Sequence, residues 1–211
     1  MLQSYLTGLV VCGGIIIAIG AQNAYLLGQA FRREHHWWSA ALCMSADIVL
    51  FTLGMLGVSA ALIAFPSALD MLRWAGVVFL LWLSFTAFVR AVQGRDGLVA
   101  DEQSRRSLGA VLMTTLAVTL LNPQVYLDTL LLIPSVGAQQ PDPMVFAAGA
   151  SSASVMWFTL LAWGGSALAP VLSRPMAWRI IDGLISLMML AIAVHLVVNG
   201  IHVPNPAQTG G

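Results

Sequence analysis

The sequence predicts an all-α integral membrane protein with six transmembrane helices, arranged as two inverted three-helix repeats with broken helices in spans 1 and 4. Of its 211 residues, 59% are hydrophobic and only 9% are charged, whereas an ordinary soluble domain carries about 25% charged residues. Six stretches are long and apolar enough to cross a hydrocarbon core of about 30 Å. The first and the fourth of these stretches are interrupted by polar or helix-breaking residues.

The six predicted spans are separated by short polar connections. They cover residues 4–30, 38–64, 70–92, 108–134, 144–169 and 177–201. A charged linker at 93–107 divides the chain into a first repeat at 1–92 and a second at 108–203, followed by a flexible tail at 204–211. Because each half has an odd number of spans, the two repeats must be inverted relative to each other. The zero net charge gives no indication of nucleic-acid binding, and no cofactor or metal motif is present.

The arginines predict which connections face the cytoplasm. The connections between spans 1 and 2, 3 and 4, and 5 and 6 hold Arg32, Arg33, Arg90, Arg95, Arg105, Arg106, Arg174 and Arg179. The opposite side holds only Arg73. The positive-inside rule therefore predicts that these three connections are cytoplasmic and that both termini lie outside.

The first break is the segment from Gly20 to Tyr25. Glycine lowers helix propensity by up to about 1 kcal/mol, and the amides of Gln22 and Asn23 need hydrogen-bond partners in a bilayer. One interpretation is that the helix unwinds here and exposes backbone dipoles to a substrate. The other is that the two amides hold neighbouring helices together.

The second break is the segment Asn122-Pro123-Gln124-Val125-Tyr126. Pro123 has no N–H and clashes with the preceding helical turn, and Asn122 is suited to cap a new helix that begins there. The positive N-terminus of such a half-helix could hold an anion such as a carboxylate. A simple proline kink without a ligand is the alternative.

Two carboxylates lie within the predicted spans. An ionisable group in a span costs about 2.5–3.5 kcal/mol on insertion scales and therefore suggests a function. Asp47 is predicted about 14 Å from the cytoplasmic end of its span, and Asp128 about 9 Å from the outer end of its own. Each acid could bind a cationic group of a basic amino acid, carry a coupling proton, or tie two helices together.

Two further groups of residues are ambiguous. Cys12 and Cys43 both lie in apolar runs, which is typical of packed core thiols, although a redox pair is the alternative. The run from Ser151 to Ser154 predicts a close helix contact, with lining of a site by a serine or by Trp157 as the alternative.

Apolar surfaces with small residues would allow a homodimer; these residues are Gly54, Gly57, Gly164 and Gly165.

Three segments together resemble a known family. The sequences around 20–27, 45–47 and 121–129 resemble signature segments of the lysine exporter (LysE-type) family, and the likeness extends over nearly the whole chain. The run Asn-Pro-x-Val-Tyr-Leu-Asp-Thr resembles the lysine and arginine exporter branch in particular, whereas the homoserine and threonine branch usually lacks an acid at the place of Asp128. In one departure, Ala21 stands where the family usually has proline.

The resemblance implies amino acid export across the bacterial inner membrane, driven by the proton gradient or the membrane potential. By matching positions, it implies a substrate site formed by Gln22, Asn23, Asp47, Asn122, Pro123, Tyr126 and Asp128. We expect export of arginine or lysine by alternating access, without an enzymatic activity. Asn122 and the backbone near Pro123 would hold the substrate carboxylate, and the two acids its positive groups. The alternatives are an exporter of neutral amino acids, a thiol–disulfide carrier that uses Cys12 and Cys43, and a channel or structural subunit.

Overall fold

The structure, a computed structural model, describes residues 1–17, 20–57, 66–93, 106–170 and 175–199. Within these ranges the chain is helical and contains no strand. The helices other than the one after the second break are α1 (Leu2–Ile16), α2 (Ala21–Arg32), α3 (His36–Met55), α4 (Pro66–Gln93), α5 (Leu108–Leu120), α7 (Pro143–Leu168) and α8 (Pro175–Asn199). Most of the predicted linker, the predicted tail and the end of the second predicted span lie outside the described residues.

The helix after the second break, α6, has an irregular centre. It begins with an α-helical turn at Pro123–Tyr126, continues as a π-helix at Leu127–Leu132, and ends as an α-helix at Ile133–Gly137. Pro134 lacks an N–H and would crowd the carbonyl of Leu130 in a regular α-helix. The wider π-helical turns relieve that conflict, and such turns frequently occur at functional sites.

The helices are long enough for up to six membrane spans. Four of them, α3, α4, α7 and α8, could each cross a bilayer by length and composition. Two bent pairs could form one span each: α1 with α2, bent by 78°, and α5 with α6, bent by 62°. The chain is therefore a multi-pass membrane protein, and both bends occur where the sequence predicts the breaks. Ala21, in place of the family's proline, does not prevent the first one.

Two helix pairs and one central helix dominate the packing. α1 and α4 make the most extensive contacts, α1 with α7 and α4 with α8, while α3 packs between α7, α5 and α6. The crossing of α1 and α7 is very close, because a Cβ at Gly8 would collide with the Phe146 carbonyl and one at Gly149 with the Tyr5 carbonyl. Glycine is therefore required at both positions.

Two of the glycines that the sequence suggests for a dimer surface are used within the chain instead. A Cβ at Gly54 would meet Pro134, and one at Gly165 would meet Ala30. Only Gly57 and Gly164 of that set have open space around them. These contacts arise because α3 packs on α6, and α7 on α2, which the apolar pattern of a single helix does not reveal.

Candidate functional site

A cavity of about 60 Å³ lies where the two breaks meet. The end of α1 and the start of α2 form one side, and α3 and α6 form the other. Its lining residues are Cys12, Ile15, Ile16, Gln22, Asp47, Phe51, Val125, Asp128, Thr129 and Ile133. Three of the seven residues that the sequence singles out, Gln22, Asp47 and Asp128, thus come together although they are far apart in the chain.

Asp47 is the more deeply buried of the two acids. Its side chain projects from the middle of α3, and the residue is only 3% exposed. The Ser154 hydroxyl of α7 donates a hydrogen bond of 2.7 Å to Asp47 Oδ2. The serine run of α7 therefore makes the predicted helix contact and also orients a carboxylate at the cavity, a partnership that the sequence alone does not indicate.

Asp128 lies on the π-helical part of α6 and is half-buried. It interacts electrostatically with Asp47, and the Gln124 side chain, one turn earlier, lies within reach of its carboxylate. No basic side chain lines this cavity, and neither acid forms an ion pair within the described part of the chain. Buried carboxylates without a counter-charge need a proton, hydrogen bonds or a cationic ligand.

The two breaks end in helix N-termini with different caps. Asn122 is buried, and its Oδ1 accepts a hydrogen bond of 3.1 Å from the Gln124 N–H, which confirms the predicted N-cap. Gly20 has extended backbone and provides no side-chain cap for α2. The first N–H groups of an α-helix have no intrahelical acceptor. Asn122 satisfies one of them at the start of α6, whereas the N-cap residue of α2 has no side chain that could do so.

Asn23 holds the first break together. Its Nδ2 donates to the Ile16 carbonyl at the end of α1 (2.8 Å), and its Oδ1 accepts from Trp157 Nε1 of α7 (3.3 Å). This matches the interpretation in which an amide joins neighbouring helices. A direct contact of Asn23 with substrate stays a prediction. Gln22 differs, because its Nε2 is buried without a hydrogen-bond partner among the described residues.

The other predicted site residues lie beside the cavity and do not line it. Tyr126 is partly buried and packs against Leu50, Val125 and Leu130. Asn122 and Pro123 form the start of α6. Their roles in substrate binding stay predictions. Cys12 lines the cavity, whereas Cys43 is buried between α2, α3 and α7, and both are free thiols.

A second charged cluster lies at the end of the molecule where α2 ends and α8 begins. The Asp182 carboxylate, only 5% exposed, accepts hydrogen bonds from Arg32 Nη2 of α2 and, at 3.3 Å, from Arg90 Nε of α4. Sequence analysis used these arginines only for topology and missed Asp182. An acid seven residues inside the last helix was the signal that could have revealed it.

These features define a class of protein. Broken helices inside a membrane, with ionisable side chains gathered at the breaks, are typical of secondary transporters. The LysE type translocator family matches residues 14–200 of this chain, so the chain belongs to that family. It is a transporter and not an enzyme.

Curated relatives agree with this assignment. The chain is 43% identical over 197 residues to a putative amino-acid transporter, YggA, of Aeromonas salmonicida, covering 92% of this chain and 94% of the relative. It is 42% identical to the arginine exporter protein ArgO of Serratia proteamaculans (95% and 98% covered) and 40% identical to that of Yersinia enterocolitica (96% and 100% covered). No solved structure matches significantly. Family and relatives together support amino acid export.

Proposed function

We propose that this protein exports basic amino acids, L-arginine and/or L-lysine, across the bacterial inner membrane by alternating access. The observation that carries the proposal is the pair Asp47 and Asp128 in one cavity, without a basic residue among its lining. Such a cavity favours a ligand that brings positive charge. Several of the relatives carry the name arginine exporter, which agrees with this charge preference.

The two acids are proposed to hold the positive groups of the substrate. A guanidinium offers planar donors that match carboxylate oxygens, and an ammonium offers a compact charge. Either acid could also carry the coupling proton when substrate leaves, so that proton and substrate exchange on one site. The driving force is the proton gradient or the membrane potential.

The substrate carboxylate is proposed to bind at the start of α2. Sequence analysis gave this role to Asn122 and the backbone near Pro123. There, however, Pro123 has no N–H, and the Gln124 N–H already donates to Asn122 Oδ1. The start of α2 has the positive end of the helix dipole, and its first N–H groups have no acceptor within their own helix. Gln22 Nε2 lies in the same turn, unpartnered among the described residues, and could add a further donor.

The halves of the molecule are proposed to rock about this cavity as inverted repeats. A shift of 102 positions relates Ala21 to Pro123, where the two helices after the breaks begin. The same shift relates Ser84 to Ser186, whose hydroxyls donate to each other's carbonyls at 2.9 and 3.0 Å. Such a reciprocal contact is expected on a two-fold axis.

Rocking must also enlarge the cavity. One water needs about 10–15 Å³ of cavity volume, so a cavity of about 60 Å³ holds a few waters and not a whole arginine. The conformation described here is therefore proposed to be a stage of the cycle in which the cavity is too small for the substrate.

The orientation in the membrane is a separate part of the proposal. Eight arginines on one side against one on the other support cytoplasmic connections between spans 1 and 2, 3 and 4, and 5 and 6, with both termini outside. Reporter domains fused to each terminus test this orientation, because a signal from the cytoplasmic side at either terminus would contradict it.

A homodimer is a separate part of the proposal, and crosslinking in membranes tests it.

The transport proposal is tested with purified protein in liposomes. We expect saturable counterflow of labelled arginine or lysine that is lost in Asp47→Asn and in Asp128→Asn. The matched control is Asp70→Asn, because Asp70 is an exposed acid on α4, and it should transport normally.

Other outcomes would identify the alternatives. Exchange of threonine without arginine would make the protein an exporter of neutral amino acids. Loss of function when Cys12 and Cys43 are both replaced by alanine, without any arginine exchange in the wild type, would support a thiol–disulfide carrier.

A further inference from the structure

A stripe of buried polar side chains runs along α3 to the cavity. His36, Ser39, Cys43 and Asp47 are three, four and four residues apart, so they share one face of the helix. All four residues are buried. From His36 to Asp47 the stripe covers eleven steps along the helix, or about 16 Å along its axis. It joins the arginine-rich end of the molecule to the acid of the cavity.

α5 presents a matching polar face to this stripe. Thr115 and Thr119 are buried and one turn apart. Thr115 Oγ1 lies at hydrogen-bonding distance, 3.0 Å, from Ser39 Oγ, and the Thr119 side chain adjoins the Cys43 thiol. Both pairs have the same separation of 76 residues along the chain, so α3 and α5 run side by side in register.

Several polar atoms along this interface are unsatisfied. Within the described part of the chain, Thr119 Oγ1, Gln22 Nε2 and both ring nitrogens of His36 are buried without a hydrogen-bond partner. Gln22 also adjoins the Cys43 thiol, from the side of α2. Most buried polar groups in proteins are paired with protein or ordered water, and buried waters typically bridge such groups.

We propose that a file of water molecules between α2, α3 and α5 conducts protons between the His36 end and Asp47. This inference rests on the proposed function, since it supplies the route of the coupling proton. The Asp47 carboxylate takes a proton from the nearest water, and each water or hydroxyl is reprotonated by the next. His36 can accept a proton at one ring nitrogen and release one from the other.

The groups that face this path are nearly all uncharged. The described stretches of α5 and α7 contain no charged residue. Asp47 faces Asp128 of α6 and the thiols of Cys12 and Cys43. At the other end, Arg33 lies near His36, while Arg32 of α2 pairs with Asp182. Glu34 lies two residues before His36, ahead of the start of α3. Among the described residues of the stripe itself, Asp47 is the one acid, so protons that enter at the His36 end arrive there.

Thr119→Val tests the path, because valine has nearly the same shape and lacks the hydroxyl. In liposomes, arginine counterflow needs no net proton movement, whereas accumulation driven by a pH gradient does. We expect counterflow at the wild-type rate. We expect gradient-driven accumulation, and the proton flux seen by a trapped pH dye, to fall roughly tenfold for one lost hydrogen-bonding group in the chain.

Two control variants make the result specific. Thr119→Ser keeps the hydroxyl and should restore coupling. Thr114→Val removes a hydroxyl that lies off the stripe, is partly exposed, and donates to the Ala110 carbonyl of its own helix. This variant should behave as wild type. Equal loss of counterflow and coupling in Thr119→Val would make Thr119 structural and overturn the proposal, as would unchanged coupling.

The wild-type protein separates this inference from the proposed function. If it does not exchange basic amino acids at all, the proposed function fails and the inference with it. If it exchanges arginine but moves no protons with it, the proposed export function is supported and the proton path is overturned.

Discussion

The two helix breaks have a similar shape but are stabilised by different interactions. At the second break, Asn122 caps the new helix with its own side chain. At the first, Gly20 provides no side-chain cap, and Asn23 joins the helices on both sides of the break instead. The second break is therefore stabilised by its own cap, whereas the first is stabilised by a side chain of the helix that follows it. One repeated shape can thus be held in two ways, and we propose that only the first leaves its helix start available to a ligand.

The half-helix before the first break, α1, crosses α7 closely at two glycines, Gly8 and Gly149. Gly149→Leu should place a side chain against the Tyr5 carbonyl and cost more than about 3 kcal/mol of stability, so little folded protein should be recovered. Gly164→Leu on the same helix has open space and should be tolerated. Thermal unfolding in detergent measures both, and a stable Gly149→Leu variant would contradict the close crossing.

The far end of α2 is held by charge. Asp182→Asn should remove the carboxylate that Arg32 and Arg90 share and lower stability by about 2–3 kcal/mol. The loss should be at or below the low end for a broken buried pair, because both arginines are partly exposed. The exposed pair of Asp70 and Arg73, 3.8 Å apart, provides the control, since Asp70→Asn should change the melting temperature very little. Equal effects in the two variants would mean that burial of Asp182 has no energetic consequence.

Adding a side-chain cap at the first break tests whether the substrate carboxylate binds there. Gly20→Asp would put a carboxylate at the start of α2, where the nearest atom to a new Cβ is Gln124 Oε1 at 3.8 Å. The half-saturation concentration for arginine should rise about tenfold, within the range for an anion at a helix N-terminus. Gly20→Ala adds no acceptor and should keep the wild-type value. If Gly20→Asp also keeps that value, the substrate carboxylate binds elsewhere.

Removal of the second cap should have the smallest effect on transport. Asn122→Ala should lower stability by about 1 kcal/mol through loss of the cap and leave the half-saturation concentration for arginine unchanged. Asn122→Ser retains an acceptor and should recover most of the stability. A large loss of arginine affinity in Asn122→Ala would return the carboxylate site to the second break, as the sequence alone suggests.

Sequence reasoning was most successful where the signal is local. Pro123 and Asn122 define a helix start through the chemistry of two adjacent residues, and the structure has it there. Sequence reasoning was less successful where the partner is distant. Ser154 on Asp47, Trp157 on Asn23 and Asp182 on two arginines are contacts between residues more than ninety positions apart, and no local pattern encodes them.

The sequence by itself determined that this is a helical membrane protein, where both helix breaks lie, and that two acids lie within the spans. These follow from composition, hydrophobic run length and the chemistry of proline, glycine and asparagine, which act over a few residues. Only the tertiary structure decided that Gln22, Asp47 and Asp128 share one cavity, that Asn122 is occupied as a cap, and that α3 and α5 bury a continuous polar stripe. Those outcomes depend on which helix faces pack together, and in a bilayer, where apolar faces differ little in hydrophobicity, that choice depends on close packing and paired polar groups across the whole bundle.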